Sequence, residues 1–192
     1  EGAGAEVTIK AASLVKLVDI GKDNKQATIF FNEKGGSKVA DITANIGAAV
    51  TAPTAPTRNG YTFAGWYSAS SGGTLVDDNT TVLQDADHTI YAHWTAKNYT
   101  ITFNSMGGSN IDSITKGYET PVNEPAEPTR TGYTFTGWHT DEECTEAYTF
   151  TTMPLNGITL YAGWEANTYT VTLDTQGGTA KDPITVTYDS YY

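Results

Sequence analysis

Apolar and polar residues alternate with a period of two along much of the chain. Tyr99, Ile101 and Phe103 alternate with Thr100 and Thr102, and Tyr169, Val171 and Leu173 with Thr170 and Thr172. Ile184, Val186 and Tyr188 alternate with Thr185 and Thr187, and Ile90, Ala92 and Trp94 with Tyr91 and His93. A strand sends successive side chains to opposite faces, so these runs predict half-buried β-strands rather than helices. Gly-Gly pairs separate the strand-like runs, as hairpin loops do. Pro121, Pro125 and Pro128 argue against a long helix in Thr120–Arg130. Val39–Val50 reads as a short helical turn.

The same words recur in order. Pro56-Thr57-Arg58-Asn59-Gly60-Tyr61-Thr62-Phe63-Ala64-Gly65-Trp66 returns as Pro128-Thr129-Arg130-Thr131-Gly132-Tyr133-Thr134-Phe135-Thr136-Gly137-Trp138, 72 positions later. Tyr91-Ala92-His93-Trp94 returns as Tyr161-Ala162-Gly163-Trp164, 70 positions later. Ile29-Phe30-Phe31-Asn32 with Gly35-Gly36 matches Ile101–Asn104 with Gly107-Gly108, and Val171–Asp174 with Gly177-Gly178. Repeats at such a period define modules. The chain reads as two full modules, 26–96 and 97–166, and the opening hairpin of a third, 167–192. Residues 1–25 fit neither and read as a linker or the end of a preceding module. The third repeat stops before its Gly-Tyr-Thr-Phe word, so the expectation is a piece of a longer array. Its hairpin should pack on module two or on a neighbouring molecule, because two strands alone are marginal. The joints Thr95–Asn98 and Glu165–Thr168 read as short linkers, predicting restricted motion and an elongated pair.

The fold class expected is mostly β, with α+β modules of roughly four to five short strands and at most one short helix. A module of this size is near the lower limit for a core of its own. The chain has 4 Trp, 12 Tyr and 6 Phe, and such rings fill a small core economically.

Charge narrows the partners. With 22 acidic against 11 basic residues, the net charge of -11 argues against nucleic acid and against an anionic membrane surface. No apolar run approaches the ~18–20 residues of a membrane span, and no charged-then-apolar leader is visible. The single cysteine, Cys144, excludes an internal disulfide.

Gly-Tyr-Thr-Phe-x-Gly-Trp and Tyr-Ala-x-Trp, with the upstream Asn/Asp-x-x-Gly-Gly hairpin, resemble the Listeria–Bacteroides repeat family, the B-repeat type of internalins and other bacterial surface proteins. The resemblance covers 26–192, and its words recur in fixed order. It implies tandem modules of a small β-grasp, ubiquitin- or SUMO-like fold, an extracellular, cell-surface or cell-wall location, and no catalytic residues. Two departures stand out. Glu142-Glu143-Cys144 replaces Ser70-Ser71-Gly72, and Phe30 and Glu33 mark a less regular first strand in module one.

Candidate binding residues are Trp66, Trp138, Trp94, Trp164, Arg58 and Arg130. In a regular strand Tyr61 and Phe63 would face one way and Trp66 the other, as would Tyr133 and Phe135 against Trp138. An exposed ring could stack on a sugar; a buried one belongs to the core, and the core is favoured. Gly65 and Gly137 fit that view if each admits a close neighbour. Arg58 and Arg130 are the only arginines and occupy equivalent positions. Each could clamp a carboxylate or stack on Tyr or Trp, and recurrence favours a structural duty.

Other chemistry is thin. Asp77-Asp78, Asp85 with Asp87, and Asp141-Glu142-Glu143 with Glu146 lack the spaced ligands of a calcium loop and read as solvated loops. His88, His93 and His139 form no metal-ligand spacing, and His139 aligns with Tyr67. No nucleophile elbow or phosphate loop is present. Acidic neighbours should raise the Cys144 pKa. No cofactor, metal or enzymatic activity is expected. The leading function is a spacer and protein-interaction (adhesion) region contacting host or neighbouring surface proteins and adjacent modules of the same chain. The alternative is a carbohydrate-binding module using Trp and Tyr on Thr-rich sheet faces.

Overall fold

A computed structural model describes residues 25–46, 50–76 and 86–190. The chain divides into two compact units, Glu1–Lys97 and Asn98–Tyr192. The segment 1–25 lies outside the described residues except for Lys25. Among the described residues there is no helix.

Module one is one mixed sheet. Its strands are β1 (Gln26–Asn32), β2 (Ile42–Asn45), β3 (Tyr61–Tyr67), β4 (Leu75–Val76) and β5 (His88–Ala96), in the order β2-β1-β5-β3-β4. β1 and β2 form an antiparallel hairpin, while β1 and β5 run parallel with Ile29 opposite His88 and Phe31 opposite Ile90. The alternation of β1 explains its placement: Ala27, Ile29 and Phe31 are buried, and Gln26, Phe30 and Asn32 are exposed. Their buried partners are Val39, Val50, Trp66, Val76, Ile90 and Ala92.

The Val39–Val50 helical turn is not found. Ile42–Asn45 is a strand paired with Gln26–Ile29, and residues 47–49 lie outside the described set. Ile42 and Ala44 pack against the core, while Thr43 and Asn45 are exposed. Period two outweighs the weak helical preference of this stretch.

Module two repeats the plan with β6 (Asn98–Asn104), β7 (Ile114–Gly117), β8 (Tyr133–His139) and β9 (Ile158–Ala166), ordered β7-β6-β9-β8. β6 and β9 are the parallel pair, with Ile101 opposite Ile158. The proline-rich segment is a crossover that pairs back locally: Val122 N–H donates to Thr151 O (3.0 Å) and Met153 N–H to Thr120 O (2.8 Å). This closes Val122 and Met153 over the core, where Met153 is fully buried. In place of the fourth strand of module one, module two has a single bridge between His139 and Ala147.

The third repeat is a lone hairpin of β10 (Thr168–Val171) and β11 (Ile184–Thr187). It packs on module two, as the sequence led one to expect. Tyr188 meets Tyr133 edge-on at 5.6 Å, and Asn167 N–H donates to Gly132 O at 2.9 Å. Thr95–Asn98 and Glu165–Thr168 are not free linkers but strand ends. Only Lys97 separates β5 from β6, and only Asn167 separates β9 from β10.

Candidate functional site

The repeated words converge in each module on one corner of the sheet. The decisive local feature is a bulge in β3 and β8. Pairing of β3 with β5 shifts register between Phe63 and Gly65, and that of β8 with β9 between Phe135 and Gly137. The extra residue reverses the alternation. Phe63 and Trp66, expected on opposite faces, therefore share one, with ring centroids 5.4 Å apart and edge-on; Phe135 and Trp138 do the same at 5.4 Å. Gly65 and Gly137 supply the backbone for it, at φ of +133° and +129°, a conformation L side chains rarely adopt. Close approach is only half the explanation. A Cβ on Gly65 would strike Leu75, whereas one on Gly137 meets nothing within 4 Å. Ala147 stands opposite His139 where Leu75 stands opposite Tyr67, and the smaller side chain leaves that room.

Trp66 and Trp138 are core residues, 5% and 2% exposed. Phe31 meets Trp66 edge-on at 4.9 Å, and Phe103 meets Trp138 at 4.7 Å. Both indole Nε1 atoms are buried without a hydrogen-bond partner. Trp94 and Trp164 are half-buried at the core edge. Their Nε1–H groups donate at 2.9 Å to Glu33 O and Ser105 O in the Gly-Gly loops. The same rings press on Gly36 and Gly108, where any Cβ would collide with them. The second glycine of each pair is thus fixed by a ring from 56 or more positions away in the chain.

Arg58 and Arg130 lie over the rings of Tyr61 and Tyr133, each 3.8 Å from the centroid. Their guanidinium groups also rest beside Gly35 and Gly107. Each arginine is a stacked bridge between the Gly-Tyr word and the Gly-Gly loop. Of the two chemistries the sequence left open, stacking is the one realised.

The variable positions exchange as pairs. In module one, Tyr67 and His93 stack at 3.9 Å, and His93 Nε2 is 3.0 Å from Ala69 O. In module two these positions are His139 and Gly163, and His139 occupies the space a Cβ on Gly163 would need. His139 Nδ1 is buried without a partner. His88 contacts Ala86 O, 3.2 Å from Nδ1.

Several acidic residues cap backbone amides. Asp87 Oδ1 accepts from Thr28 N–H at 2.7 Å and Asp41 Oδ1 from Phe31 N–H at 3.0 Å. Asp141 accepts from Thr145 N–H and Glu146 N–H, both at 2.8 Å, and these bonds, with that of the Thr145 hydroxyl, hold its carboxyl below the usual range. Burial pushes the Glu33 carboxyl up, but the Val39 N–H bond (2.7 Å) and nearby Lys38 outweigh it and lower the pKa. Asp77, Asp78 and Asp85 lie outside the described residues. Among the described residues no three His, Cys, Asp or Glu side chains gather as a metal site. The Cys144 pKa is raised, first by burial and then by Asp141 and Glu143. The sequence pointed only to the acidic neighbours.

The outward sheet face is a threonine surface. Thr28 and Thr43 hydroxyls pair at 3.0 Å, and Thr100–Thr115 and Thr102–Thr159 at 2.8 Å. Cross-strand Thr pairs support a sheet from its wet side.

These features define a tandem β-repeat in which the recurring residues serve the module interior. The model of the Listeria-Bacteroides repeat domain matches residues 28–93 and 99–163, and the chain belongs to this family. It is 36% identical over 152 residues to a putative Gly-rich membrane protein of Evansella cellulosilytica, covering 79% of this chain and 18% of that protein. It is 34% identical over 164 residues to a putative membrane protein of the same organism, covering 85% and 24%. It is 40% identical over 132 residues to Internalin H of Listeria monocytogenes, covering 68% and 24%. The chain thus spans about a quarter or less of each of these relatives.

Proposed function

We propose that this chain is a non-catalytic spacer and protein-interaction region of a bacterial surface or secreted protein, built from β-grasp-like modules. The observation that carries it is where the repeated residues go. The four Trp, both Arg, Tyr61 and Tyr133, and the Gly-Gly pairs of the two modules are engaged in packing, so what recurs from module to module is a scaffold rather than a ligand site. The names of the relatives, two membrane proteins and an internalin, support an extracellular setting, with adhesion or projection of a distal domain as the role. The β-grasp reading is supported by an opening hairpin whose first strand lies parallel to the last strand at the sheet centre.

The test uses antibodies raised against residues 26–190 on intact cells of the source organism. The expected result is surface labelling that external protease removes. Labelling only after permeabilisation would contradict the proposal.

The carbohydrate alternative, Trp and Tyr on the Thr-rich sheet faces, could draw among the tryptophans only on Trp94 and Trp164, since Trp66 and Trp138 are interior. Both candidate rings are tied by their N–H groups to loop carbonyls. A glycan array is expected to give no saturable binding that Trp94→Ala or Trp164→Ala removes; such binding would favour the alternative.

A further inference from the structure

The Gly-Tyr word of module two has a second side. Arg130 covers one face of the Tyr133 ring, 3.8 Å from its centroid. Tyr188, the residue after β11, meets the same ring edge-on at 5.6 Å, and Asp189 Oδ2 lies 3.5 Å from the Tyr133 hydroxyl that donates to it. Gly132 lies against the Tyr188 ring, and a Cβ there would collide with Cγ, Cδ1 and Cε1 of that ring. The glycine therefore answers two demands. One is its φ of +78°, which belongs to the turn before β8. The other is a seat for a ring from the following repeat, which the fold of module two does not itself require.

The one residue between β9 and β10 is tied to both sides. Asn167 N–H donates to Gly132 O at 2.9 Å, and Asn167 Oδ1 accepts from the Thr134 hydroxyl at 2.6 Å. Its carbonyl accepts from Tyr188 N–H at 2.8 Å. Lys97, the equivalent residue between β5 and β6, makes the backbone bond, to Gly60 O at 2.8 Å. A lysine side chain has no acceptor to offer a threonine hydroxyl. The bonds at Asn167 bind the hairpin to β8 on one side and to Tyr188 on the other, so the joint cannot turn freely about its backbone.

We propose that the Gly132-Tyr133 corner is a docking socket for the following repeat of the same chain. The group it reads is a tyrosine–acid turn just after that repeat's second strand, with the ring on the glycine and the carboxylate by the tyrosine hydroxyl. Docking couples the two repeats. The β10–β11 hairpin is held by β8, and bending at Asn167 requires the Tyr133–Tyr188 contact to break. Through Arg130, which also rests beside Gly107, the Gly-Tyr word links the Gly-Gly loop of its own module to the next repeat. This rests on contacts within residues 98–192 and not on the surface-protein reading.

The test is residue-resolved amide hydrogen exchange in the 192-residue chain, read at the paired residues of β10 and β11. Tyr188→Ala should speed exchange there about three- to tenfold, the scale of one aromatic pair. Tyr133→Ala, across the joint, should do the same, which a role for Tyr188 confined to its own hairpin would not produce. The double variant should be no faster than the faster single one, because the two rings act as a pair. Tyr188→Phe keeps the ring and should change exchange less than about twofold. Hairpin exchange indifferent to Tyr133→Ala, or single effects that multiply in the double variant, would overturn the proposal. Protection in β6 and β9 is read in the same spectra. Should Tyr133→Ala strip it, Tyr188→Ala and Tyr188→Phe are compared at the Asn167 amide, which donates to Gly132. Faster exchange of that amide in the alanine variant alone supports the socket, and equal exchange in the two overturns it.

Discussion

Module two and the third hairpin begin with the same local structure and end in different states. Both have two antiparallel strands, a side-chain cap at the end of the first strand and the same Gly-Gly turn, with Met106 and Gln176 at φ of 49° and 51°. Yet Ile101 is fully buried and Val171 is 41% exposed. Hairpin geometry is thus coded within about 20 residues, by strand alternation and turn chemistry. The core is coded by what arrives later, the bulged strand with Trp138 and the parallel strand with Leu160 and Trp164. Short-range words write the shape of the hairpin, and long-range words cover it.

The comparison can be broken most severely at the tryptophan. Trp138→Ala should destabilise module two by about 3–5 kcal/mol, the range for truncating a buried aromatic. Trp66→Ala should do the same in module one, whereas Leu173→Ala should cost less than about 0.5 kcal/mol, as surface changes do. Urea denaturation of each variant checks this, and a cost below ~1 kcal/mol for Trp138→Ala would place the ring outside the core.

The second glycine of the pair gives a finer cut. Gly36→Ala and Gly108→Ala push a methyl into a tryptophan ring and should cost about 1–3 kcal/mol by overpacking. Gly178→Ala lacks the ring and should cost less than about 0.5 kcal/mol. All three share a similar approach to a backbone carbonyl, at 3.2, 3.2 and 3.1 Å, so the difference isolates the ring. Equal costs at the three sites would break the account of the loop.

Removing the stacked cation is smaller still. Arg130→Gln should lower module-two stability by about 0.5–1 kcal/mol, the scale of a cation–π contact near the surface. Salt should change that loss little, since no carboxylate lies within ion-pair range of Arg130 among the described residues. A loss erased by salt would point to an ion pair instead.

The slightest effect is on pH. The Asp141 pKa is depressed in the folded chain, so its contribution is present above the ordinary value of 3.8 and lost as pH falls through the lower folded value. The amides of Thr145 and Glu146 should therefore titrate below pH 3.8 in a nuclear magnetic resonance series. Asp141→Asn should abolish that titration. In module one Ala69 stands where Asp141 does and Ser70-Ser71-Gly72 replaces the rest of the acidic run, so that loop should show no matching event.

Much of this is legible in the sequence, for identifiable reasons. Repeat spacing marks equivalent positions, and strict alternation in Tyr99–Phe103 marks a strand with an inner face. The bulge is not legible, because period two carried through Ala64-Gly65 puts Phe63 and Trp66 on opposite faces, and only the pairing with β5 reveals the extra residue. The Val39–Val50 region misleads although Ile42 and Ala44 alternate with Thr43 and Asn45 and align with the strand Ile114–Gly117. Two alternations are a weak signal beside a run of small residues. Met153 gives no signal, because Phe150, Met153 and Leu155 are spaced three and two apart and follow no single period; its burial depends on hydrogen bonds to Thr120 and Glu119. Recurrence marks the arginines as structural, but the Tyr ring beneath each lies three positions away and could be chosen over a carboxylate only in three dimensions.

The central claim is that the first strand of a repeat becomes core only when its parallel partner covers it. Native-state hydrogen exchange read residue by residue tests this most directly, by comparing the strand-bonded amides of Thr102–Asn104 with their equivalents in Thr172–Asp174. The account predicts that the first set opens only with unfolding of module two, while the second exchanges close to the rate of an unstructured chain. Equal, strong protection of both sets would contradict it.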